Sequence, residues 1–544
     1  MPVVNINYND LISLIGKDIE KDELIKKIPM IGVSLERVDE REMSVEVFPN
    51  RPDLLGVEGI ARAMKSFLGI EEGLKKYNIL PPKISMNVDK SVEKVRPYIG
   101  GAVVRNVEMN EETIISLMEM QEKLHFSVGK NRKKMAIGVH DFDKINPPFL
   151  YKAVKPHEIK FVPLGWEEEM TMEEILEKHE KGIEYAHLLK NNDVYPIILD
   201  KNENVLSFPP IINGQLTALS YETRNIFIDV TGTDMNAVLS ALNIISTALA
   251  ERGGKLEQVR IIGKEEIITP DLTPQKNELQ VDYVKKILEI KSISDIIESL
   301  KKMGHDVERD GDKINIYSPA WRSDILHPID LIEDVAIGYG YEKFEEIMPK
   351  SVTFGKSFSF SKIQNTMIGL GFNEVVTLSL SNPEKEFLRM KIEGDAVQIE
   401  NPISVEHSII KQSLLPSLLE ILSKNRHNDL PQQIYETGDI VLFERGKAKQ
   451  KTMLSGVKIS SKANFTECKS IVETILKNFG FKLEVEEREH NSFINGRCAS
   501  IIINGEEAGY FGEIHPSVIC NFELEYPVIA FEIDVSKLFP SLYK

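Results

Sequence analysis

Along this chain the period of the hydrophobic residues switches repeatedly between two and about 3.6, and Pro, Gly and Asn break each run. A chain patterned this way buries its apolar faces by packing helices on sheets, so a multidomain α/β and α+β protein is expected. No apolar stretch approaches the roughly 18–20 residues that a membrane span needs. With 544 residues, and about 100–200 residues per domain, roughly three to five domains follow. The net charge of −18 argues against a surface coated with basic charge, yet leaves room for a local basic patch that meets RNA. Cys468, Cys498 and Cys520 are too few and too scattered for a zinc module or a disulfide framework. The opening residues, Met-Pro-Val-Val-Asn-Ile-Asn-Tyr, lack the layout of a signal peptide, and a soluble cytoplasmic protein is expected.

Four regions can be drawn. Residues 1–90 read as a small α/β module, with Asn9 or Asp10 capping a first helix, Met43, Val45 and Val47 alternating on a strand, and a Pro49-Asn50-Arg51-Pro52-Asp53 turn before a helix from Leu55 to Phe67. Residues 91–265 are mixed, with strands over Gly100–Asn106, Met135–His140, Val194–Leu199, Val205–Phe208 and Asn225–Val230. Helices are expected over Glu111–Leu124 and Asn236–Glu251. Residues 269–345 pair two helices, capped by Asp282 and Ser294, with a hairpin turning at Asp310-Gly311, a winged-helix-like arrangement. Residues 350–544 alternate helix and strand: Phe358–Leu370, Glu374–Leu380, Ser413–Asn425, Lys469–Phe479 and Val528–Ile533.

Several clusters carry chemistry. Asp330, Glu333 and Asp334 fall at i, i+3 and i+4, on one helical face if Pro328 opens the helix, and Asp324 lies just upstream. Hard divalent cations favour such converging oxygens, although acids near a helix start are also favoured by the dipole. Lys130, Arg132, Lys133 and Lys134, with His125, form the densest basic run, suited to phosphates or to a solvated loop. Asn50, Arg51 and Asp53 suit a turn with a local Arg51–Asp53 pair better than a catalytic set. Neither a Walker loop nor a convincing GxGxxG occurs.

Four segments, in order, resemble the β subunits of phenylalanyl-tRNA synthetases of the archaeal and eukaryotic type. They are Val47 to Leu55; Pro209-Pro210-Ile211-Ile212-Asn213-Gly214 with Ile228 to Asp234; Trp321 to Ile325 with Asp330 to Ala336; and Ser413-Leu414-Leu415-Pro416 with Tyr435 to Asp439. The resemblance implies a phenylalanine–tRNA ligase subunit in an α₂β₂ tetramer. The α subunit would bind ATP and charge tRNA-Phe, and this chain would scaffold it and hydrolyse mischarged Tyr-tRNA-Phe. It further implies Mg2+ on Asp324, Asp330, Glu333 and Asp334. The last region would be a degenerate class II synthetase-like antiparallel-sheet domain. Lys411, Lys424 and Arg426 do not fall in the expected second-motif strand, and Gly509 to Ile514 lacks the glycine-rich helix ending in arginine, so the domain reads as catalytically silent.

The need for editing is physical. Tyrosine is phenylalanine plus one hydroxyl, and an apolar pocket rejects such an analogue by only about a hundredfold. A second site that hydrogen-bonds the hydroxyl does better. Asp229, Thr231, Thr233 and Asp234, with Ser207 and Asn213 on a neighbouring segment, are the editing candidates. Thr233 or Asp234 also suits the cap of the following helix. Two other readings fit the same segments: a tRNA-binding scaffold subunit without editing, and a free-standing trans-editing deacylase.

Overall fold

A computed structural model describes residues 2–348 and 359–539, and the chain divides into two compact units at about residue 348. The start of the expected helix at Phe358 and the boundary at 350 lie outside the described residues. The chain has mixed α/β architecture with several sheets. No helix among the described residues is long and apolar enough to cross a membrane.

The first unit is built around a ten-stranded sheet. Strand Ile226–Gly232, next to the end strand of this order, is buried along its whole length and pairs antiparallel with Tyr98–Arg105 on one side and with the end strand Met135–Asp141 on the other. Such a strand reads as a near-continuous apolar run, which makes the acid at Asp229 conspicuous. Helix Met235–Glu251 packs its buried face, including Val238, Leu242, Ile245 and Leu249, on these strands. At the other end lie Tyr195–Leu199, Val205–Phe208 and the short Ile212–Asn213. The sheet curls until its ends approach: Asn213 Nδ2 donates to the carbonyl of Val139, in the opposite end strand, at 3.2 Å.

Strand Ile79–Val88, read above with the first module, belongs to this sheet, paired parallel with Lys255–Ile262. Pro81 and Pro82 obscure its periodicity. Glu266–Thr269 also pairs with Lys255–Ile262, extending the sheet past residue 265. The N-terminal module itself is a three-stranded antiparallel sheet with helices Tyr8–Ile15 and Val57–Phe67. Asn7, rather than Asn9 or Asp10, caps the first helix. The third module is a three-stranded antiparallel sheet with helices Val281–Leu288, Ile293–Lys302 and Pro328–Tyr339. Ser292 caps the second of these, not Ser294, and Asp282 lies in the first turn after Gln280.

Buried arginines brace the N-terminal module and tie it to the other two. Arg51 holds Asp53 through Nε and Nη2 at 2.8 and 2.9 Å. Arg252, at the C-terminal cap of helix Met235–Glu251, reaches Asp10 at 2.8 Å and Glu58. Arg62 stacks over Trp321, 4.2 Å from its ring centre.

The second unit is a seven-stranded sheet, antiparallel except where Asn373–Glu374 runs parallel to Gln432–Glu444. Each face carries a core: helices Ser361–Gly369 and Phe465–Asn478 cover one, and Leu415–Lys424 and Pro516–Asn521 the other. The strand expected over Glu374–Leu380 is reduced to two-residue pieces at its ends.

Candidate functional site

Where the curled sheet's ends approach, a pocket of about 330 Å³ opens. Asp229, Thr231, Gly138, Ser207, Asn213 and Thr217 line it together with Pro209, Pro210, Met118 and Leu219. Apolar walls with a few convergent polar groups are the usual form of a small-molecule site.

Its polar groups are fixed from behind. Asp229 Oδ1 meets His140 Nε2 at 2.6 Å, and His140 Nδ1 meets Thr217 Oγ1 at 2.8 Å. Arg96, buried behind Thr231, donates Nε to its hydroxyl at 2.9 Å and Nη2 to its carbonyl at 2.8 Å. Burial pulls the Arg96 guanidinium down to about 10. Gly138 lies opposite Asp229 in the strand register. A β-carbon there would overlap Asp229 Oδ1 and His140 Nε2. Gly138→Ala should therefore cost about 1–3 kcal/mol by overpacking, read as an earlier first transition in thermal unfolding.

A second polar group comes from helix Glu111–Phe126 and the turn after it. Lys130, Asn131 and Arg132 hold φ values of 47°, 54° and 63° in succession. Left-handed residues other than glycine cost on the order of 1–3 kcal/mol each, and such strain clusters at functional sites. This turn drives Arg132 inward. Its Nη1 donates to the carbonyl of Ile211 at 2.9 Å, its Nη2 to Glu122 Oε1 at 2.8 Å, and it lies over Tyr185 at 4.4 Å. The ring of His125 is oriented from both sides: Nε2 accepts the amide of Ile137 at 2.8 Å, so Nδ1 carries the proton toward Glu122, at 3.2 Å. Burial lowers the His125 pKa. The hydrogen bond from His125, with Arg132 adding to it, holds Glu122 down at about 2.

The structure thus brings Asp229, Thr231, Ser207 and Asn213 to one pocket. It does not bring Asp234: that side chain caps helix Met235–Glu251 through the amide of Ala237 and pairs with Lys134 at 2.7 Å. Thr233 donates to the carbonyl of Lys133 instead. The basic run is divided rather than uniform. His125 and Arg132 are buried structural members of the pocket, while Lys130 and Lys133 stay exposed. Sequence reasoning missed His140, Thr217, Gly138 and Glu122. Alternation within Met135–Asp141 puts Gly138 and His140 on one face, but their meeting with Asp229 needs the strand pairing.

The four acids do not form an oxygen cage within this chain. Arg322 grips Asp324 with Nε and Nη2 and reaches Asp334 Oδ2 at 2.8 Å, and His305 Nε2 meets the same oxygen at 2.7 Å. Asp330 Oδ2 accepts the amides of Leu326 and His327 as part of a capping box. Only Glu333 is exposed. Among the described residues no group of three or more His, Cys, Asp and Glu side chains is placed to hold a metal ion. Spacing put these acids on one helix, but a neighbouring guanidinium and the helix start claim three of them.

Comparison with known proteins agrees with this architecture. Three family models match in order: the B3/4 domain over residues 96–260, the tRNA synthetase B5 domain over 277–341, and the phenylalanyl-tRNA synthetase beta chain CLM domain over 348–535. These define an aminoacyl-tRNA synthetase chain. The phenylalanine–tRNA ligase beta subunit of Methanosarcina barkeri is 45% identical, with 99% of each chain covered. That of Archaeoglobus fulgidus is 44% identical over the same shares. A crystal structure of an N-terminal fragment of the Pyrococcus horikoshii phenylalanyl-tRNA synthetase beta subunit is 43% identical. It spans 62% of this chain and all of the fragment, with a TM-score of 0.61. The chain belongs to the phenylalanine–tRNA ligase beta-subunit family, and so is a ligase subunit.

Proposed function

We propose that this chain serves phenylalanyl-tRNA formation as the subunit that does not activate the amino acid, and that its pocket hydrolyses Tyr-tRNA-Phe. One observation carries the editing half. A largely apolar pocket holds a single buried carboxylate, Asp229, whose second oxygen has no donor among the described residues. That oxygen suits a phenol hydroxyl, and a phenylalanyl group would leave it unpaired. Ser207, Thr231 and Asn213 then face the rest of the aminoacyl group. Both ring nitrogens of His125 are engaged, as are those of His140, so neither imidazole is a free base. Water is positioned by the ribose hydroxyls of the substrate together with these polar groups. Exposed Lys130 and Lys133, flanking Arg132, are placed to meet the phosphates of the acceptor end.

The ligation half rests on a companion α chain that binds ATP, phenylalanine and the tRNA end, in an α₂β₂ tetramer of the cytoplasm. The module at 269–345 is winged-helix-like, and the second unit is a silent class II synthetase-like domain. The basic residues of its second-motif region are spent on structure. Lys411, 2% exposed, is held by Glu436 at 3.0 Å, and exposed Lys424 and Arg426 pair with Glu420 and Glu523. That unit also exposes Val376, Leu378, Ile403 and Val405, an apolar set that suits burial against the companion chain. The test uses the full-length chain, copurified with its companion, and preformed Tyr-tRNA-Phe and Phe-tRNA-Phe. Hydrolysis of the tyrosyl ester at least about tenfold faster than the phenylalanyl ester, one hydrogen bond's worth, is the expected result. Equal rates, or no acceleration over water, would leave only a scaffold.

A further inference from the structure

Asp229 can discriminate a hydroxyl only if its carboxylate is held in one orientation. His140 is the group that holds it. The side chain is wholly buried and is absent from the pocket lining, so it sits behind Asp229 rather than beside a substrate. A carboxylate only accepts hydrogen bonds, so the 2.6 Å contact requires the proton on His140 Nε2. On the far side Thr217 Oγ1 lies 2.8 Å from Nδ1 and 3.1 Å from the carbonyl of Gly214. Whichever of these takes the Thr217 hydrogen, Nε2 remains the donor to Asp229. The ring is also fixed by stacking on Phe227, 6.0 Å between centres. Gly138 leaves the gap through which His140 reaches across the strand pair to Asp229.

We propose that His140 is the positioning residue for tyrosine recognition. It locks Asp229 Oδ1 and so presents Oδ2 to the phenol hydroxyl, setting the preference of the pocket for a tyrosyl over a phenylalanyl ester. This rests on the editing reading above. A purely structural His140 would, when replaced, slow hydrolysis of both esters alike. A positioning His140 changes their ratio.

The experiment measures kcat and KM for hydrolysis of Tyr-tRNA-Phe and Phe-tRNA-Phe by the full-length chain with its companion. It compares the wild type with His140→Phe, His140→Gln, Asp229→Asn and the His140→Phe/Asp229→Asn pair. His140→Phe keeps the ring but removes the donor, and should lower the tyrosyl-to-phenylalanyl ratio of kcat/KM about tenfold or more, chiefly through KM. His140→Gln can still donate at the Nε2 position and should keep the ratio within about threefold, a loss well below a full hydrogen bond. The pair should discriminate no worse than Asp229→Asn alone, because both changes break one contact. An unchanged ratio in His140→Phe, an equal fall in His140→Gln, or multiplying losses in the pair would overturn the assignment. Should His140→Phe not fold, Thr217→Val, which frees the ring from behind, carries the same test: its ratio should fall, and an unaltered ratio counts against the proposal. A wild type that hydrolyses neither ester overturns the editing reading itself, a result distinct from any of these.

Discussion

Arg322→Ala should lower the stability of the first unit by about 3–5 kcal/mol, the usual consequence of leaving a buried charge without its partner. Arg322 is 4% exposed and serves two carboxylates at once, Asp324 through a two-pronged contact and Asp334 through Nη2. Burial pushes Asp334 up, but Arg322 and His305 outweigh it and hold the carboxyl at about 2. Without the guanidinium, Asp334 keeps only a histidine whose own pKa burial lowers. Lysine at 322 would restore charge but not the planar fork, and should recover only part of the loss. The transition to follow by calorimetry is that of the first unit, since a chain with two compact units need not unfold in one step.

The same node has a signature in acid. A carboxyl whose folded pKa lies below its unfolded value near 3.9 contributes stability that is complete above about pH 4 and fades as the pH falls toward 2. The wild-type first unit should therefore lose stability steeply across that window, and Arg322→Ala less so. Chelating divalent ions at neutral pH should leave the transition where it is. A fall on chelation would mean that an ion, not Arg322, organises these acids.

The other large effect is on chemistry. Asp229→Ala should slow hydrolysis of Tyr-tRNA-Phe by about ten- to a hundredfold, the cost of losing a hydrogen bond to a charged acceptor in a dry pocket. Charging of phenylalanine by the assembly should be unaffected, since adenylation is placed on the companion. Thr231→Ala should have a smaller effect of the same kind: Thr231 Oγ1 holds Arg96, and its loss loosens one wall. Deacylation at the wild-type rate in Asp229→Ala would remove the carboxylate from the reaction.

The parts of this fold legible in the sequence are those set by local periodicity. Strand Val205–Phe208 and helix Met235–Glu251 fall within a residue of their expected limits, because alternation and helical spacing are properties of the chain itself. Strand Ile79–Val88 was hidden by its two prolines, and Glu374–Leu380 reads as a strand although only its ends pair. The pocket was half legible. Asp229, an acid inside an apolar run, announces itself, whereas His140 is 89 residues away and meets it only through strand pairing. Arg132 shows the limit from the other side. Among four cations in five positions it looked like a solvent-facing phosphate contact, and only the left-handed turn reveals that it points inward. The four acids teach the same lesson: spacing fixes which residues share a helix, while Arg322, eight or more residues from the helical three, decides what they bind.

If the pocket takes a tyrosyl ester by its hydroxyl, a structure of the chain with a hydrolysis-resistant 3′-tyrosylamide of adenosine will show where that hydroxyl goes. The phenol oxygen should lie within hydrogen-bond reach of Asp229 Oδ2, with the contact between Asp229 and His140 intact and the amide facing Ser207 and Thr231. A ligand bound elsewhere, or one seated in the pocket with its hydroxyl turned away from Asp229, would contradict this recognition of the hydroxyl.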